Sequence, residues 1–346
     1  MTIARRSSVK AESPALPVHY IRVIADRVRE RGADVDAWLA EAGLTGASLA
    51  DASLTISRER FERLVTGSLT FTDEPALGLF VGERLVASTH GILGYAAVNA
   101  GTLREAMELL ERYSQLRLAL LEVSHDERGG QVRLRFTESE ALGAMRRPVL
   151  EAVLLSVKNI LDAITMGACA VTAVAFAFER PAHAALARDM FRCEVRYGQS
   201  WTGMIMPREL LDVPLKMADP EAFRDAAALC RKELDKLNAR ESLARRVHRL
   251  LLERQGAFPT LQVTARMLHL SPRTLHRRLV DEGTSYRALV DEVRHALAVE
   301  HLRAHRTSIE AIAFALGYTD LANFRRAFKR WEGVAPSEFR DRSESR

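Results

Sequence analysis

The sequence predicts an α+β domain over residues 16–237, followed by an all-α domain over residues 238–346 that has two helix-turn-helix motifs joined by a long helix. Three observations predict this fold class. Between about residues 118 and 137 the apolar period changes from that of a helix to that of a strand. Near the C-terminus, a pattern of short helix, tight turn and arginine-bearing helix occurs twice. The charge is also uneven, because residues 238–346 hold 20 Lys and Arg against 13 Asp and Glu, whereas the first 237 residues hold 30 against 32.

The N-terminal half of the first domain is predicted to be mainly helical. Residues 1–15 are basic and lack an apolar core, so we expect a disordered tail rather than a secretory signal. An apolar stripe predicts a helix that ends near Gly32, and Asp34 is expected to cap a second one. Further helices are predicted at about 57–71 and 73–85 and, behind the capping box Thr102-Leu-Arg-Glu105, at 103–116.

The second half of this domain contains the predicted strands. Arg128-Gly-Gly130 is typical of a hairpin turn between two β-rich segments, 118–125 and 131–137. Helices are predicted at 150–166 and 182–191, and strands at 171–178, 194–197 and 203–206. We expect the strands to pair antiparallel.

A last helix of the first domain begins at Asp219-Pro220 and carries an apolar stripe. Its residues recur at helical spacing, and either core packing or a short two-stranded coiled coil explains them equally well. Only two heptads are available, so a dimer needs further contacts from the first domain. The domain boundary is expected within 237–242. The stripe consists of Phe223, Ala226, Cys230, Leu234 and Leu237.

The duplicated pattern of the second domain has the local signals of two helix-turn-helix motifs. Ser271 and Asp320 stand where N-caps belong, immediately before the second helix of each copy. Ala265 and Ala313 are small residues at the place where the two helices of each motif cross. At the turns, the first copy has His269 and the second has Gly317, which suits a positive φ. The second turn is one residue longer, and four core anchors are expected at i, i+4 spacing: Leu275, Leu279, Phe324 and Phe328.

A long helix is predicted between the two copies, over Tyr286–Ala304. Nineteen residues of helix span roughly 29 Å. One turn of B-DNA is about 34 Å, so a rigid connector of this length would place the second helices of both copies in successive major grooves.

Composition excludes several other classes of protein. The chain has no run of about 18 apolar residues, so no membrane span is expected. Its three cysteines, Cys169, Cys193 and Cys230, are widely spaced without a neighbouring metal-ligand pattern, which fits a reducing cytoplasm and predicts no metal, no cofactor and no catalytic residue. A cationic domain attached to a near-neutral one is typical of nucleic-acid binding with a separate partner module.

The C-terminal residues resemble the AraC/XylS family of transcriptional regulators. The resemblance rests on Arg294-x3-Ala298-x3-Leu302, on Ser308-Ile-x2-Ile-Ala313-x3-Gly317-Tyr, and on Phe324-x3-Phe328-Lys-Arg with a closing Gly333-Val-x-Pro336-x2-Phe339-Arg340. It covers residues 242–341. It implies base-edge contacts from Arg273, His276, Arg277, Leu321, Ala322, Asn323 and Arg326, and phosphate contacts are expected from Arg278, Arg325, Lys329 and Arg330. Leu321 and Ala322 depart from the polar residues often found at their positions.

The first 237 residues resemble the arabinose-binding-type sensor and dimerisation domain of one AraC subfamily. The residues include His90-Gly-Ile-Leu-Gly-Tyr95 and Thr102-Leu-Arg-Glu-Ala106, with Phe176-x-Phe178 further on. Nothing in them selects arabinose. Four residues are candidates for a ligand pocket, with core packing as the alternative for each: His90, Tyr95, Phe176 and Trp201.

The sequence therefore predicts a regulator that binds double-stranded DNA in a sequence-specific manner and activates neighbouring genes in response to a small-molecule effector. Expected partners are RNA polymerase and a second copy of the chain. The alternatives are a ligand-independent repressor, an architectural DNA-binding protein, and an enzyme fused to a DNA reader. The last needs a nucleophile beside a base, and none of the cysteines has such a neighbour in the sequence.

Overall fold

A computed structural model describes residues 16–51, 54–117, 119–139, 141–168, 171–240, 242–252, 258–303 and 307–344. The disordered tail predicted for residues 1–15 and the residue Cys169 lie outside this part of the chain. The structure divides into two compact units, with the division after Leu237. In the part that is described, no helix combines the length and the apolar character needed to cross a bilayer.

The first unit is α+β, as predicted. Its early helices begin at capped residues: Asp34 accepts from the amides of Asp36 and Ala37 at 3.0 Å, and Thr102 accepts from that of Glu105. In chain order the elements are β1 (Leu16–Pro17), α1 (His19–Glu30), α2 (Val35–Glu41), β2 (Thr55–Ile56), α3 (Arg58–Thr72), α4 (Leu77–Arg84), α5 (Gly91–Val98), α6 (Leu103–Tyr113), β3 (Leu121–Arg128), β4 (Gln131–Glu138), α7 (Arg146–Ile164), β5 (Ala173–Ala175), α8 (Ala184–Phe191), β6 (Glu194–Arg196), β7 (Gly203–Pro207) and α9 (Pro220–Arg240).

Five strands form one sheet in the order β3-β4-β7-β5-β6. The hairpin prediction is confirmed, since β3 and β4 pair antiparallel around Gly129 and Gly130, which have φ of 57° and 75° as a two-residue turn of type I′ requires. The prediction that all strands are antiparallel is wrong for one pair. Strands β5 and β6 run parallel, because α8 returns the chain to the same end of the sheet before β6 begins.

Two glycines bring α4 against α7. A Cβ at Gly78 would lie 2.4 Å from the carbonyl oxygen of Pro148, and one at Gly82 would lie 2.6 Å from that of Ala152. The two helices therefore pack backbone to backbone on this side of the core, and any larger residue at either position would push them apart.

The apolar stripe of α9 packs inside the first unit. Ala226 and Cys230 are fully buried and form one cluster with Leu93 of α5 and with Leu109 and Tyr113 of α6. Core packing therefore explains the centre of the stripe, and these residues are not available as a coiled-coil seam. Among the five residues of the stripe, Leu237 at its end is the one that is exposed.

The second unit contains only helices in the part that is described. One core joins all of them, and the four anchors Leu275, Leu279, Phe324 and Phe328 are fully buried in it, as predicted. Ala265 and Ala313 are also fully buried. The helices are α10 (Leu243–Leu252), α11 (Leu261–Met267), α12 (Pro272–Asp281), α13 (Tyr286–Arg303), α14 (Ile309–Ala315), α15 (Leu321–Glu332) and α16 (Pro336–Glu344).

Candidate nucleic-acid interface and ligand cavity

Helix α12 presents a cationic face to solvent. Ser271 caps it by accepting from the amide of Thr274 at 3.1 Å, and Pro272 occupies its first turn. Leu275 and Leu279 fix one side of the helix in the core, so the opposite side is exposed. Arg273 and Arg277 lie on that side one turn apart, and His276 and Arg278 are exposed at its two borders.

Helix α15 exposes a similar face whose polar groups are partly engaged with one another. Asp320 caps the helix by accepting from the amide of Asn323 at 2.6 Å, and it also accepts from the side-chain amide of Asn323. Arg326 donates to the Asn323 side-chain oxygen at 2.7 Å. Ala322 is exposed, whereas Leu321 is partly buried against the core. A base that pairs bidentately with the Asn323 side chain would therefore compete with Asp320 for its amide nitrogen and with Arg326 for its oxygen.

The basic residues expected at phosphates are all exposed at the surface. Arg325 and Lys329 are on the outer side of α15. Arg330 donates to Asp291 of α13 at 3.2 Å, so part of its charge is already compensated within the protein.

Helix α13 is attached to both helix pairs by side-chain hydrogen bonds that could not be predicted from the sequence pattern. Near its start, the Tyr286 hydroxyl bonds with the Thr264 hydroxyl at 3.0 Å and donates to the carbonyl of Pro259. Further along, Arg294 donates from Nε to the carbonyl of Leu316 at 2.9 Å, and its guanidinium lies 4.8 Å from the ring centre of Tyr318. The first pair is thus held to α13 through α11 and the residue before its N-cap, and the second pair through the turn at Gly317.

The two turns adopt the same left-handed backbone with different residues. His269 has φ of 55° and Gly317 has φ of 75°. A Cβ at Gly317 would lie 3.3 Å from Nη2 of Arg294. Glycine is therefore favoured at the second turn both by its conformation and by the close approach of Arg294, whereas the first copy keeps a histidine in a strained conformation.

The first unit contains a cavity of about 140 Å³. Its wall is built mainly from α1, α3, α4, α5, α6 and α7, with Leu121 and Leu134 from the sheet, and consists largely of apolar residues, most of them leucine and valine. The polar residues on the wall are Tyr20, Ser68, His90, Arg117 and Ser156. Four of these five, all except Ser68, form one hydrogen-bonded cluster around His90.

His90 is the centre of this polar cluster. The Ser156 hydroxyl donates to the carbonyl of Leu85 at 2.8 Å, so its 2.9 Å contact with Nε2 of His90 requires that Nε2 carries the proton. Nδ1 then accepts from the Tyr20 hydroxyl at 3.0 Å. Burial lowers the pKa of His90 to about 4, with smaller contributions from His19 and Arg117, so the ring is neutral at pH 7.

Arg117 is positioned beside His90 and is the one charged side chain on the described wall of the cavity. Its Nε donates to the carbonyl of His90 at 2.8 Å. Gly91 leaves room for it, because a Cβ there would lie 2.6 Å from Nη2 of Arg117. Arg117 is not among the predicted site residues, although a single charge inside the apolar run 116–121 is a sequence signal that points to it.

The four pocket candidates from the sequence do not lie together. His90 is on the cavity wall, whereas Tyr95, Phe176 and Trp201 are not among the residues that line it. Tyr95 is 54% exposed on α5. Phe176 is fully buried and stacks on Phe178 with ring centres 4.6 Å apart, which is core packing. Trp201 packs under the guanidinium groups of Arg133 and Arg135 at 5.7 and 5.6 Å.

A helical unit that exposes a cationic helix face, on the same chain as a separate α+β unit, is typical of DNA-binding regulators. Comparison with known proteins gives the family. Residues 32–215 match the arabinose-binding domain of AraC transcription regulators, and residues 264–342 match a helix-turn-helix domain. The chain belongs to the AraC family and is a DNA-binding transcription regulator.

Individual relatives agree with this assignment along almost the whole chain. The chain is 36% identical to the ornithine utilization regulator of Pseudomonas aeruginosa, over 94% of this chain and 96% of that protein. It is 28% identical to the HTH-type transcriptional regulator VirS of Mycobacterium tuberculosis, over 91% and 93%. The crystal structure of the transcriptional regulator CdpR from Pseudomonas aeruginosa is 27% identical, with a TM-score of 0.46 over 85% of this chain and 96% of that one.

Proposed function

We propose that the chain is an effector-responsive activator that reads DNA with two helix-turn-helix motifs, α11–α12 and α14–α15. The observation that carries the proposal is the attachment of both pairs to α13 through one core, with the exposed faces of α12 and α15 free for DNA. The 18 residues of α13 span about 27 Å, which is close to the roughly 34 Å between successive major grooves on one face of B-DNA.

Helices α12 and α15 would contribute unequally to the recognition of bases. Arg277 and Arg326 suit bidentate pairing with guanine, Asn323 suits adenine, and Ala322 suits a thymine methyl. Arg273 and His276 add hydrogen-bond donors on α12. Leu321 is partly buried, which reduces the apolar surface that it can present to a base. Phosphate contacts are assigned to Arg278, Arg325, Lys329 and Arg330, of which Arg330 would first leave Asp291.

Sequence-specific DNA binding is tested by a mobility-shift titration of the full chain against the DNA upstream of its own gene. A scrambled duplex of the same length and composition is the control. We expect a clear preference for the upstream DNA and an affinity that falls steeply with salt, because each phosphate contact releases counterions. Equal binding to both duplexes at every salt concentration would contradict the proposal.

The cavity supports the effector-responsive part of the proposal. The relative named as an ornithine utilization regulator raises ornithine as a candidate effector, but the described cavity wall holds no acidic side chain that could pair with its ammonium groups. A sugar fits the apolar wall equally poorly, because most of its hydroxyl groups would be buried without partners. Thermal-shift screening of the full chain against small metabolites separates an effector-responsive regulator from a ligand-independent repressor or an architectural protein.

An activator would contact RNA polymerase, and we propose that it does so as a homodimer. Because the centre of the α9 stripe is buried within the first unit, we expect the dimer surface to consist of other residues. Light scattering of the full chain, with and without DNA, measures the oligomeric state. A monomer in both conditions would contradict the dimer and leave the DNA-binding proposal intact.

No enzymatic reaction is part of the proposed function. Burial raises the pKa of Cys193 and of Cys230, which is the opposite of what a nucleophilic thiolate needs. Labelling with iodoacetamide at pH 7 should therefore be slow at both residues. Fast labelling of either would support the alternative of an enzyme fused to a DNA reader.

A further inference from the structure

The chemistry of the cavity wall narrows the class of effector. The wall combines a large apolar surface with one positive side chain, and none of the described residues that line it is acidic. A cationic ligand would therefore find no counter-charge, and a strongly polar ligand would leave most of its hydrogen bonds unmade.

In the polar cluster around His90, Arg117 is the residue that can donate hydrogen bonds to a ligand. Both ring nitrogens of His90 are already bonded, the Ser156 proton goes to a backbone carbonyl, and the Tyr20 proton goes to His90. Arg117 uses Nε for the carbonyl of His90 and Nη1 for that of Leu116 at 3.3 Å, which leaves Nη2 for a ligand. Arg117 forms no salt bridge within the described residues, but its charge is felt by Glu233 of α9, whose carboxyl pKa is lowered mainly by its hydrogen bond with Lys236 and to a smaller extent by Arg117.

The size of the cavity limits the apolar part of the ligand. Its volume of about 140 Å³ is close to that of an engineered cavity of about 150 Å³ that binds benzene. Six to ten non-hydrogen atoms are therefore the expected size, on the order of a benzene ring or a short alkyl chain with one polar group.

We propose that the cavity binds a small apolar monocarboxylate, with its hydrocarbon part among the aliphatic side chains and its carboxylate paired with Arg117. This inference rests on the proposed function as an effector-responsive regulator. It adds the class of ligand and the residue that recognises its charge. The guanidinium of Arg117, fixed by His90 and accommodated by Gly91, is preorganised for such a pair.

Three probes with the same alkyl chain test the charge that the cavity accepts. Hexanoate, hexan-1-ol and hexylamine are titrated into the full chain at pH 7.5, and the melting temperature and calorimetric affinity are measured. Hexanoate is expected to raise the melting temperature with concentration, hexanol much less, and hexylamine not at all. Benzoate serves as a second carboxylate shape. Equal stabilisation by hexanol, or none by hexanoate and benzoate, would overturn the proposal.

Variants of Arg117 identify the residue that pairs with the carboxylate. Arg117→Gln should weaken hexanoate binding by about 10- to 100-fold, the ratio expected for loss of one charge-assisted pair. Its binding of hexanol should change little, which a general loss of structure would not reproduce. Arg188→Gln, at an exposed arginine on α8, is the matched control and should bind hexanoate as the wild type does. Unchanged hexanoate affinity in Arg117→Gln would contradict the pairing.

A cavity-filling variant provides an independent test of the binding place. Val153 lies on the wall and is partly buried, so Val153→Phe should occupy part of the volume. We expect this variant to lose the hexanoate-dependent rise in melting temperature. Retained stabilisation by hexanoate would place the ligand elsewhere. If the carboxylates fail in all these tests while the chain still binds its upstream DNA specifically and another metabolite stabilises it, only the ligand class is wrong.

Discussion

We expect neighbouring arginines on α12 to have different roles although their chemistry is the same. Arg277 lies on the face opposite Leu275 and Leu279 in line with Arg273, whereas Arg278 is turned about 100° around the helix from Arg277. A side chain at the centre of the face reaches base edges, and one at its border reaches the backbone of the DNA. Asn323 and Arg326 of α15 are engaged with each other, so we expect α12 to carry more of the sequence discrimination.

Arg277→Ala and Arg278→Ala form a matched pair for this difference. Arg277→Ala should cost about 1–3 kcal/mol of binding free energy and relax specificity at one base position. Arg278→Ala should weaken binding to all sequences about equally and reduce the slope of log affinity against log salt by about 1. Mobility shifts on a set of single-base variants of the upstream DNA, at three salt concentrations, measure both effects. The same pattern for both variants would contradict the assignment.

His90 makes the stability of the first unit dependent on pH. Burial lowers its pKa from 6.5 to about 4 in the folded chain, with His19 and Arg117 adding to the effect and Tyr20 and Ser156 bonded to the neutral ring. The unfolded chain therefore takes up the proton first as pH falls. Stability is full above pH 6.5 and decreases between pH 6.5 and 4, by up to about 1.4 kcal/mol per pH unit.

Urea unfolding of the full chain at pH 7.5, 6.0 and 5.0 measures this loss. His90→Gln should reduce the decrease of the midpoint with pH, and the remainder is assigned to His19, whose pKa burial also lowers to about 4. Tyr20→Phe removes the hydroxyl but keeps the buried ring, so it should lower the midpoint at every pH and keep the dependence on pH. An unaltered pH dependence in His90→Gln would contradict the role of this residue.

At the scale of the element, the two turns of the second unit each contain one residue with a left-handed backbone, and they differ in how well that residue tolerates it. His269 at φ 55° should be destabilising relative to glycine, whereas Gly317 at φ 75° has both a favourable conformation and Arg294 close by. We expect His269→Gly to stabilise its turn by up to about 1 kcal/mol, and Gly317→Ala to destabilise the other by at least that amount. Amide hydrogen exchange of peptides covering 258–281 and 307–332 measures the two effects separately.

The helices of the second unit were predictable because their signals are local. Ser271, Asp320 and the buried anchors four residues apart identify α12 and α15 without knowledge of the rest of the chain. Strands β5 and β6 have three residues each, too few for an alternating pattern to indicate the direction of pairing. The α9 stripe showed that an apolar face exists but not what covers it. The cavity depends on six helices that are distant in sequence, so Arg117 could not be connected with His90 beforehand.

At the scale of the whole molecule, the cavity wall and the cluster that packs against α9 share side chains. Leu93, Ala97 and Leu109 line the cavity and also belong to the cluster that holds Ala226 and Cys230. Helix α9 continues to Arg240, beyond the division between the two units at Leu237. We therefore expect a ligand that moves α5 or α6 to act on α9 through a single layer of side chains, because packed layers have low compressibility and transmit small shifts.

Ala226→Leu and Ala228→Leu are a matched pair for this route. Ala226 is fully buried against α5 and α6, so a larger side chain should displace α9 at a cost of about 1–3 kcal/mol, whereas Ala228 is exposed on the same helix. We expect Ala226→Leu still to bind hexanoate but to lose the effect of hexanoate on affinity for the upstream DNA. Ala228→Leu should keep both properties. Calorimetry measures the affinity for hexanoate, and mobility shifts with and without hexanoate measure its effect on DNA binding. If hexanoate still changes the DNA affinity of Ala226→Leu, the signal takes a route other than the buried face of α9.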